Sequence, residues 1–395
     1  MLWEEIAMAT IEPFVFRAPH EVHFGVGELG RLGEVSQRLG RKGLITTGRG
    51  SARERGFIDR AQQSLAAEGI EVAVYEGIAP EPPLADVERG REVARAHEAD
   101  FVVALGGGSA VDVGKAIAAL GLTETPVTEY HSGGLACDAP GLPCVAIPTT
   151  SGTGSEATPN SVLTDPAKAK KSSIRGAALL PEIAIIDPEL TVPLPPEPTA
   201  HSGLDALCQA IEAYVSRGAN PVSDALALRA VRSIAGSLRR AHRDGSDLDA
   251  RTDMALGSHL AGLALASARL GLVHGLAHPV GVATEKPHGL VCGAMLPMVI
   301  RANAEHVGRR YSQVCDTAGL SDTDPSFMGG AADRLAGWTE QLCSELGVPV
   351  RLSELGLSEA DLEPIAEVAA KAGSTAYNPR EMSAGAILDL MRQNL

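Results

Sequence analysis

The chain has 395 residues, of which 45% are hydrophobic, and carries a formal net charge of −15. This length is enough for one large or two ordinary domains with substantial apolar cores. The negative charge argues against a nucleic acid or an anionic membrane surface as a partner, because both bind through basic patches. Small anionic substrates are not excluded, since one local Arg or Lys is enough to hold them.

Six cysteines, at positions 137, 144, 208, 292, 315 and 343, form no CxxC pair. Scattered cysteines are typical of reduced thiols in a cytosol rather than of a disulfide framework. The opening MLWEEIAMAT is acidic and too short for a signal peptide. The longest uncharged runs fall short of the ~20 residues that span a bilayer. We therefore expect a soluble, cytoplasmic protein without a membrane partner.

Short apolar runs alternate with helical stretches over the first half of the chain. Helices are predicted near 28–39 and 84–97, and strands are predicted at 22–27, 43–48, 71–77, 100–108, 144–150 and 182–187. Apolar strands separated by helices indicate a parallel sheet covered on both faces. Before the last strand, residues 161–176 form a polar segment that we interpret as a hairpin.

Two turns in this half could contact a phosphate-bearing ligand. Residues 106–109, GGGS, follow a strand and precede a helix predicted to begin near Ala110. Successive glycines allow close backbone approach, and free N–H groups at a helix start favour a pyrophosphate. A plain tight turn is the alternative, because the motif is neither GxGxxG nor a Walker loop. The hydroxyl-rich turn at 148–158 could bind a nucleotide or simply cap the next helix.

The character of the chain changes after about residue 190. The proline-rich segment 188–203 reads as a linker, and long Ala- and Leu-rich amphipathic segments follow it. Helices are predicted there at 203–217, 221–241, 250–268, 290–318, 328–346, 358–372 and 383–393. The sequence thus predicts an α/β N-terminal domain with a Rossmann-like parallel sheet over 1–189, and an all-α C-terminal domain over 190–395.

Candidate metal ligands lie in the helical half. Asp205 and Gln209 are four positions apart on an apolar helical segment, hence on one face and about 6 Å apart along the axis. A carboxylate in apolar surroundings usually needs a counter-charge or a metal. Pairing of Asp205 with Arg217 or Arg229 is the alternative.

Three histidines, His274, His278 and His288, fall within fifteen positions of an almost uncharged segment. Helical spacing places the first two on one face, and Pro287 allows a loop to bring His288 back towards them. Ordinary core histidines are the alternative. A ligand set of imidazoles and a carboxylate suits Fe(II) or Zn(II) better than calcium or magnesium.

Four motifs in this order resemble those of the iron-containing (group III) alcohol dehydrogenases. They are GGGSAVDVGKAIA at 106–118, AIPTTSGTGSEAT at 146–158, SGLDALCQAIEAYVS at 202–216, and GLVHGLAHPVG at 271–281 followed by PHG. The resemblance covers nearly the whole chain and implies a dehydroquinate synthase-like architecture. It also implies reversible hydride transfer between NAD(P)H and a small alcohol or aldehyde, with a metal acting as Lewis acid. We further expect a homodimer or a larger homo-oligomer.

The resemblance implies a role for individual residues. The metal would be held by Asp205, Gln209, His274 and His288, although family members with a full iron set carry His where this chain has Gln209. His278 would be catalytic and shuttle the alkoxide proton; orienting a ligand, or ligating in place of Gln209, are its alternative roles. The positions that match cofactor contacts in the family are Gly106, Gly107, Gly108, Ser109, Thr149, Thr150, Thr153, Ser155, Asn160 and Lys171.

Cofactor choice depends on the segment 43–56, GLITTGRGSARERG. NAD-dependent relatives carry an acid at the end of this strand, which bonds the ribose hydroxyls and repels a 2′-phosphate. Here that position is Gly48, followed by Arg49 and Ser51, which are suitable phosphate partners. NADP(H) is therefore expected in preference to NAD(H). The alternative is that residues 49–56 are only the solvated, basic start of a helix and do not contact the cofactor.

Other activities are also compatible with these motifs. A maleylacetate reductase-like or phosphonoacetaldehyde reductase-like enzyme would take an anionic substrate, which Arg269 could hold if it faces the cleft. The presence of Asp205 argues against the former, since maleylacetate reductases lack that Asp and dispense with metal. In a different class, a metal-dependent hydrolase would use the same Asp and His set to activate water, and it would need no dinucleotide.

Overall fold

A parallel six-stranded sheet forms the first half of the computed structural model, which describes residues 11–168, 170–320 and 329–395. The strand order is β1-β8-β5-β4-β2-β3, and β6 and β7 form a separate antiparallel hairpin. The strands are β1 Glu21–Phe24, β2 Lys42–Gly48, β3 Glu71–Ile78, β4 Phe101–Gly106, β5 Cys144–Pro148, β6 Asn160–Asp165, β7 Lys170–Arg175 and β8 Ile183–Ile186. The predicted parallel sheet and the hairpin excursion are both confirmed.

The central strand β4 is buried on both faces, because helices cover both sides of the sheet. The helices of this half are α1 Leu32–Ser36, α2 Ser51–Glu54, α3 Phe57–Ala67, α4 Leu84–His97 and α5 Gly108–Leu120. Side chains alternate along β4: Val102 and Ala104 pack in the core formed with α4 and α5, whereas Val103 and Leu105 pack in the core formed with α3. This two-sided burial explains why the strand is apolar throughout.

Helices make up the second half. They are α6 Pro196–Val215, α7 Pro221–Arg243, α8 Leu248–Ala268, α9 Leu272–Thr284, α10 His288–Ala302, α11 Ala304–Ala318, α12 Ala331–Glu345, α13 Glu359–Ala370 and α14 Ala384–Gln393. A single apolar core runs through this set. The helical character predicted for this half is confirmed.

Two predicted boundaries in this half are wrong. The proline-rich linker ends earlier than expected, because α6 begins at Pro196 rather than near residue 203. Proline is well tolerated in the first turn of a helix, where its missing N–H would have no partner. The helix predicted over 290–318 is two helices that meet at Asn303. The predicted start at residue 328 lies outside the described residues.

Among the described residues, no single helix has both the length and the apolar character to cross a bilayer. Only α8 and α9 taken together reach that combination, and they are bent by 106° where they meet.

Candidate metal and dinucleotide site

Four side chains from three helices of the second half converge on one point. Oδ1 of Asp205 on α6 lies 3.3 Å from Nε2 of His274 on α9 and 3.8 Å from Nε2 of His288 on α10. Sγ of Cys292, one turn after His288, lies 3.9 Å and 3.6 Å from the same two nitrogens. The four atoms lie within 4.8 Å of one another, as the ligands of one metal ion would.

A glycine allows α10 to cross α6 at this point. A Cβ on Gly289 would lie 2.1 Å from the carbonyl oxygen of His201 and 3.3 Å from Cβ of Asp205. Separations below 3 Å do not occur between real atoms of these kinds, so no larger residue fits without moving a helix. The absence of a side chain at Gly289 therefore brings His288 within reach of Asp205.

Glu212, one turn beyond Gln209 on α6, determines the orientation of His274. Its Oε2 accepts a hydrogen bond from Nδ1 of His274 at 2.6 Å, and its Oε1 accepts one from the backbone N–H of Val273 at 2.7 Å. Because Nδ1 carries the proton, Nε2 presents its lone pair to Oδ1 of Asp205. Two lone pairs that face each other at 3.3 Å repel unless a cation or a proton lies between them.

The environment of Asp205 tests whether a metal fits here. The residue is 3% exposed, and its Oδ1 has no hydrogen-bond partner among the described residues. Arg217 and Arg229, the alternative partners considered above, form no ion pair with it. An unsatisfied buried carboxylate oxygen beside two imidazoles and a thiol is a donor set that suits a borderline divalent cation such as Fe(II) or Zn(II).

Gln209 lies beside this cluster but faces the other carboxylate oxygen. Its Nε2 donates to Oδ2 of Asp205 at 3.0 Å, which confirms that the two residues share one helix face. The Oε1 of Gln209 is buried and has no partner among the described residues. The amide thus orients Asp205, while the other three side chains gather at Oδ1.

His278 borders the cluster without joining it. Its ring stacks on that of His288 with centroids 5.5 Å apart, and its buried Nδ1 has no hydrogen-bond partner in the described part of the chain. Burial lowers the pKa of His278 well below its ordinary value, and the charges of His288 and Lys171 act in the same direction. A neutral imidazole with a free ring nitrogen is able to accept a proton.

Burial and neighbouring charges compete at the other groups of the cluster. For His274, burial acts to lower the pKa, but the Cys292 thiolate and the Asp205 and Glu212 carboxylates outweigh it and hold the pKa well above the ordinary value. For Cys292, burial acts to raise the pKa, but a hydrogen bond from Cys208 and the two imidazoles outweigh it and lower the pKa well below the ordinary value. The sulfur and the imidazole therefore each favour the charged form of the other.

The two predicted phosphate-contacting turns lie side by side at the carboxyl end of the sheet. Thr149, which follows β5, donates its backbone N–H to the carbonyl oxygen of Gly106 at 2.9 Å. A Cβ on Gly108 would lie 2.7 Å from the side chain of Thr153, and one on Gly107 would lie 3.5 Å from that of Thr150. The structure thus brings the glycine loop and the hydroxyl-rich turn into direct contact. Ser109 follows in the first turn of α5, which begins at Gly108 rather than near Ala110.

A buried lysine holds this arrangement together. Nζ of Lys115 on α5 donates to the carbonyl oxygen of Ser155 at 2.8 Å, to Oγ1 of Thr158 at 3.1 Å and to the carbonyl oxygen of Asn160. It also pairs with Asp112, three positions earlier on α5, at 3.3 Å. The ion pair is buried, and its lysine also donates hydrogen bonds to the neighbouring hydroxyl-rich turn.

Ser155, one of the predicted cofactor contacts, is buried, and its hydroxyl donates to Oδ1 of Asp112. Its side chain supports the turn from within. Thr153 is exposed beside it and accepts a hydrogen bond from the backbone N–H of Ser155 at 3.3 Å.

The end of β2 lies next to the glycine loop. A Cβ on Gly106 would come within 4.0 Å of the backbone nitrogen of Gly48. A Cβ on Gly48 itself would meet only the carbonyl oxygen of Ile78, at 3.8 Å, so a larger side chain fits at this position. The next residue, Arg49, is exposed and forms no ion pair among the described residues, whereas Arg53 pairs with Glu76 and Asp59. Ser51 is also exposed.

The hairpin β6–β7 connects the two groups of residues. Asn160 begins β6 beside Lys115, and Lys171 on β7 is close enough to His278 and His288 to act on the pKa values of both. Lys171 pairs with Glu81. By contrast, Arg269 is exposed at the end of α8 with φ of 68°, and it forms no hydrogen bond or ion pair with the cluster.

Sequence reasoning missed two residues of the candidate metal cluster, Cys292 and Glu212. Cys292 stands four positions after His288 on an apolar helix, and this spacing could have identified it. Glu212 follows Asp205 by seven positions, two turns along the same face, but its contact with His274 spans 62 positions and has no local signal.

Comparison with known proteins agrees with this geometry. A family model described as iron-containing alcohol dehydrogenase matches residues 19–188, and the model of the C-terminal part of that family matches residues 199–395. The chain belongs to the iron-containing alcohol dehydrogenase family. As a member of the iron-containing alcohol dehydrogenases it is an oxidoreductase that acts on CH–OH donors, which excludes the hydrolase considered above.

Individual iron-containing alcohol dehydrogenases match over almost their whole length. The chain is 38% identical over 382 residues to a 1,3-propanediol dehydrogenase of Klebsiella pneumoniae, covering 96% of this chain and 98% of the relative. A crystal structure of a 1,3-propanediol oxidoreductase superposes with a TM-score of 0.92 at 37% identity, covering 97% and 100% of the two chains. The sulfoacetaldehyde reductase of Bifidobacterium kashiwanohense, solved in complex with NAD+, superposes with a TM-score of 0.88 at 30% identity, covering 97% and 99%.

Proposed function

We propose that the protein is a metal-dependent alcohol dehydrogenase and aldehyde reductase that acts on a small alcohol or aldehyde and prefers NADP(H) to NAD(H). The observation that carries the proposal is the convergence of Asp205 Oδ1 with Nε2 of His274 and His288, at 3.3 and 3.8 Å. The family membership supplies the reaction class. In this proposal residues 1–189 bind the dinucleotide, and residues 190–395 hold the metal and the substrate.

The metal, Fe(II) or Zn(II), would stabilise negative charge on the substrate oxygen as a Lewis acid. The chain would hold it through Asp205, His274 and His288, with Glu212 fixing the orientation of one imidazole. His278 would accept or return the proton of the substrate hydroxyl, because its ring lies against that of His288 and keeps a free nitrogen. Asp205 and His274 are buried, whereas the side chain of His288 is 25% exposed.

The dinucleotide would lie along the carboxyl ends of β2, β4 and β5. Parallel strands present such ligands with the free N–H groups of a following helix, here the start of α5 at Gly108 and Ser109. Thr149, Thr150 and Thr153 border the same groove. Asn160 and Lys171 would complete it on the side of the metal.

The preference for NADP(H) is supported by the end of β2. An aspartate there would bond the ribose hydroxyls of NAD(H) and repel a 2′-phosphate. Gly48 lacks this charge although space for a side chain exists, and the exposed Arg49 and Ser51 follow it. An unpaired guanidinium is a strong partner for a phosphate.

One experiment tests the reaction and the metal together. The purified protein is analysed for its metal content and then assayed for NADPH oxidation against a panel of small aldehydes that includes carboxylated and sulfonated members. We expect one divalent transition metal per chain and aldehyde reduction that a chelator abolishes and added Fe(II) or Zn(II) restores. Full activity after complete metal removal would refute the proposal.

The cytoplasmic location and the homo-oligomer stay predictions.

A further inference from the structure

The position of Cys292 suggests a donor set different from the one that the resemblance implies. That resemblance puts the fourth ligand at position 209. In the structure Gln209 donates its amide to Oδ2 of Asp205, away from the oxygen where the imidazoles meet. The atom that does approach both imidazole nitrogens is Sγ of Cys292.

We infer that Cys292 is a metal ligand, so that the ion is held by Asp205, His274, His288 and Cys292, while Gln209 positions Asp205 through its second oxygen. The inference rests on the proposed metal-dependent function and specifies its donor set. A buried cysteine alone would not establish it. The independent observation is the unpartnered Oδ1 of Asp205, a 3% exposed residue whose free oxygen faces the same point.

The distances between the four donor atoms agree with a tetrahedral ion. Zinc bonds of about 2.0 Å to oxygen, 2.05 Å to nitrogen and 2.3 Å to sulfur give N···O edges of about 3.3 Å and N···S edges of about 3.6 Å. The observed N···O separations are 3.3 and 3.8 Å, and the observed N···S separations are 3.9 and 3.6 Å. Each of these four edges, of the six in a tetrahedron, is within about half an ångström of its ideal length before any ion draws the ligands together.

Helix geometry explains why sulfur replaces imidazole here. His288 and Cys292 are four positions apart on α10, so both face α6 across the gap that Gly289 leaves open. On α6, Asp205 and Gln209 have the same spacing, but the amide nitrogen of Gln209 donates to Oδ2 of Asp205, the carboxylate oxygen away from the imidazoles. The fourth donor is thus provided by α10 instead of α6.

The thiolate changes the chemistry of the ion. With Asp205 and Cys292 both anionic, two negative charges balance a divalent cation, where an aspartate with three imidazoles would leave one positive charge. Thiolate is also a softer donor than imidazole and favours zinc over iron in comparison with an all-nitrogen-and-oxygen set. We therefore expect this chain to retain zinc more strongly than iron.

Cobalt substitution gives a readout that does not depend on activity. Co(II) bound by a thiolate shows a strong sulfur-to-metal charge-transfer absorption in the near ultraviolet, which a carboxylate or an imidazole does not produce. The wild-type protein loaded with one Co(II) per chain is expected to show this band. Cys292→Ser should lose the band and bind the metal at least tenfold more weakly, and Gln209→Ala should keep the band.

Cys208→Ser is the matched control, because Cys208 is also buried and lies beside Glu212 and His274 in the same core. It should leave the band unchanged. X-ray absorption of the wild-type zinc protein should show one sulfur neighbour at about 2.3 Å, a measurement that needs no variant to fold.

The outcomes separate this inference from the proposed function. Wild-type protein that binds one Co(II) without the band, or zinc without a sulfur neighbour, would overturn the role of Cys292 and leave the metal-dependent function standing. A band that survives in Cys292→Ser and disappears in Cys208→Ser would show that Cys208 is the sulfur ligand, and it would overturn the role inferred for Cys292. Wild-type protein that binds no divalent transition metal would refute both proposals.

Discussion

Glu212 and His274 form a 2.6 Å hydrogen bond between buried side chains on α6 and α9. This bond fixes the imidazole tautomer, because a carboxylate can only accept and Nδ1 must therefore donate. The other nitrogen is then directed at Asp205. The same carboxylate also accepts from the backbone of Val273, so one residue determines both the position and the orientation of a proposed metal ligand.

Glu212→Gln is expected to weaken metal binding about 10- to 100-fold, the usual effect of removing a carboxylate that supports a ligating histidine. Competition with a chromophoric chelator measures it. Glu156→Gln provides the control, because Glu156 forms a comparable buried pair with His259 at 3.0 Å away from the cluster. Equal losses in the two variants would show that the effect is structural rather than specific to the metal.

Gly48→Asp is expected to reverse the coenzyme preference. A carboxylate at this position would repel the 2′-phosphate, and a tenfold loss of NADPH affinity corresponds to about 1.4 kcal/mol. NADH affinity should be maintained or improved. Fluorescence titration of both coenzymes measures the ratio, and Gly48→Asn separates charge from size. Tighter binding of NADH by the wild-type protein would already contradict the interpretation of Gly48.

Lys115→Met is expected to lower the free energy of unfolding by about 3–5 kcal/mol, because it removes the cation of a buried ion pair and leaves the Asp112 carboxylate with hydrogen bonds alone. Urea denaturation followed by circular dichroism measures it. Lys168→Met is the comparison: Lys168 also follows an aspartate by three positions, at 3.5 Å, but it is 64% exposed. Its removal should cost less than about 1 kcal/mol. Similar costs would mean that burial does not strengthen the pair at Lys115.

Gly289→Ala is expected to lose most of the bound metal, since the added methyl group would lie 2.1 Å from the carbonyl oxygen of His201 and must push α10 off α6. Overpacking of this kind also costs about 1–3 kcal/mol of stability. Gly281→Ala, where the nearest atom to an added Cβ is 3.8 Å away, should keep its metal and gain up to about 1 kcal/mol from helix propensity. Elemental analysis of both folded variants measures their metal content, and equal metal content in the two would contradict the role of Gly289.

The sequence was informative where the signal is local. Apolar runs identified every strand of the main sheet, and the spacing of Asp205 and Gln209 placed both on one helix face. The helix start at Pro196 was missed because a proline-rich segment resembles a linker. Proline is nevertheless compatible with the first turn of a helix, where the backbone N–H groups have no partner within the helix.

Long-range contacts could not be predicted in the same way. The pair Asp112 and Lys115 has the spacing of a surface ion pair, and only the packing of the turn over α5 shows that the lysine is fully buried. The direction in which Gln209 points likewise depends on where α10 crosses α6. Helix periodicity does not carry this information, since it describes one helix at a time.

Gly154 and Gly262 are in backbone contact where the hydroxyl-rich turn meets α8: a Cβ on the first would lie 2.6 Å from Cα of the second, and a Cβ on the second 2.6 Å from the carbonyl oxygen of the first. Gly154 also has φ of +59°, a conformation that other residues seldom adopt. This contact limits which positions can be varied in directed evolution of coenzyme use. Exposed positions such as Thr153 can be varied broadly. Codons 154 and 262 should stay fixed, because almost any side chain there would push the hydroxyl-rich turn away from α8.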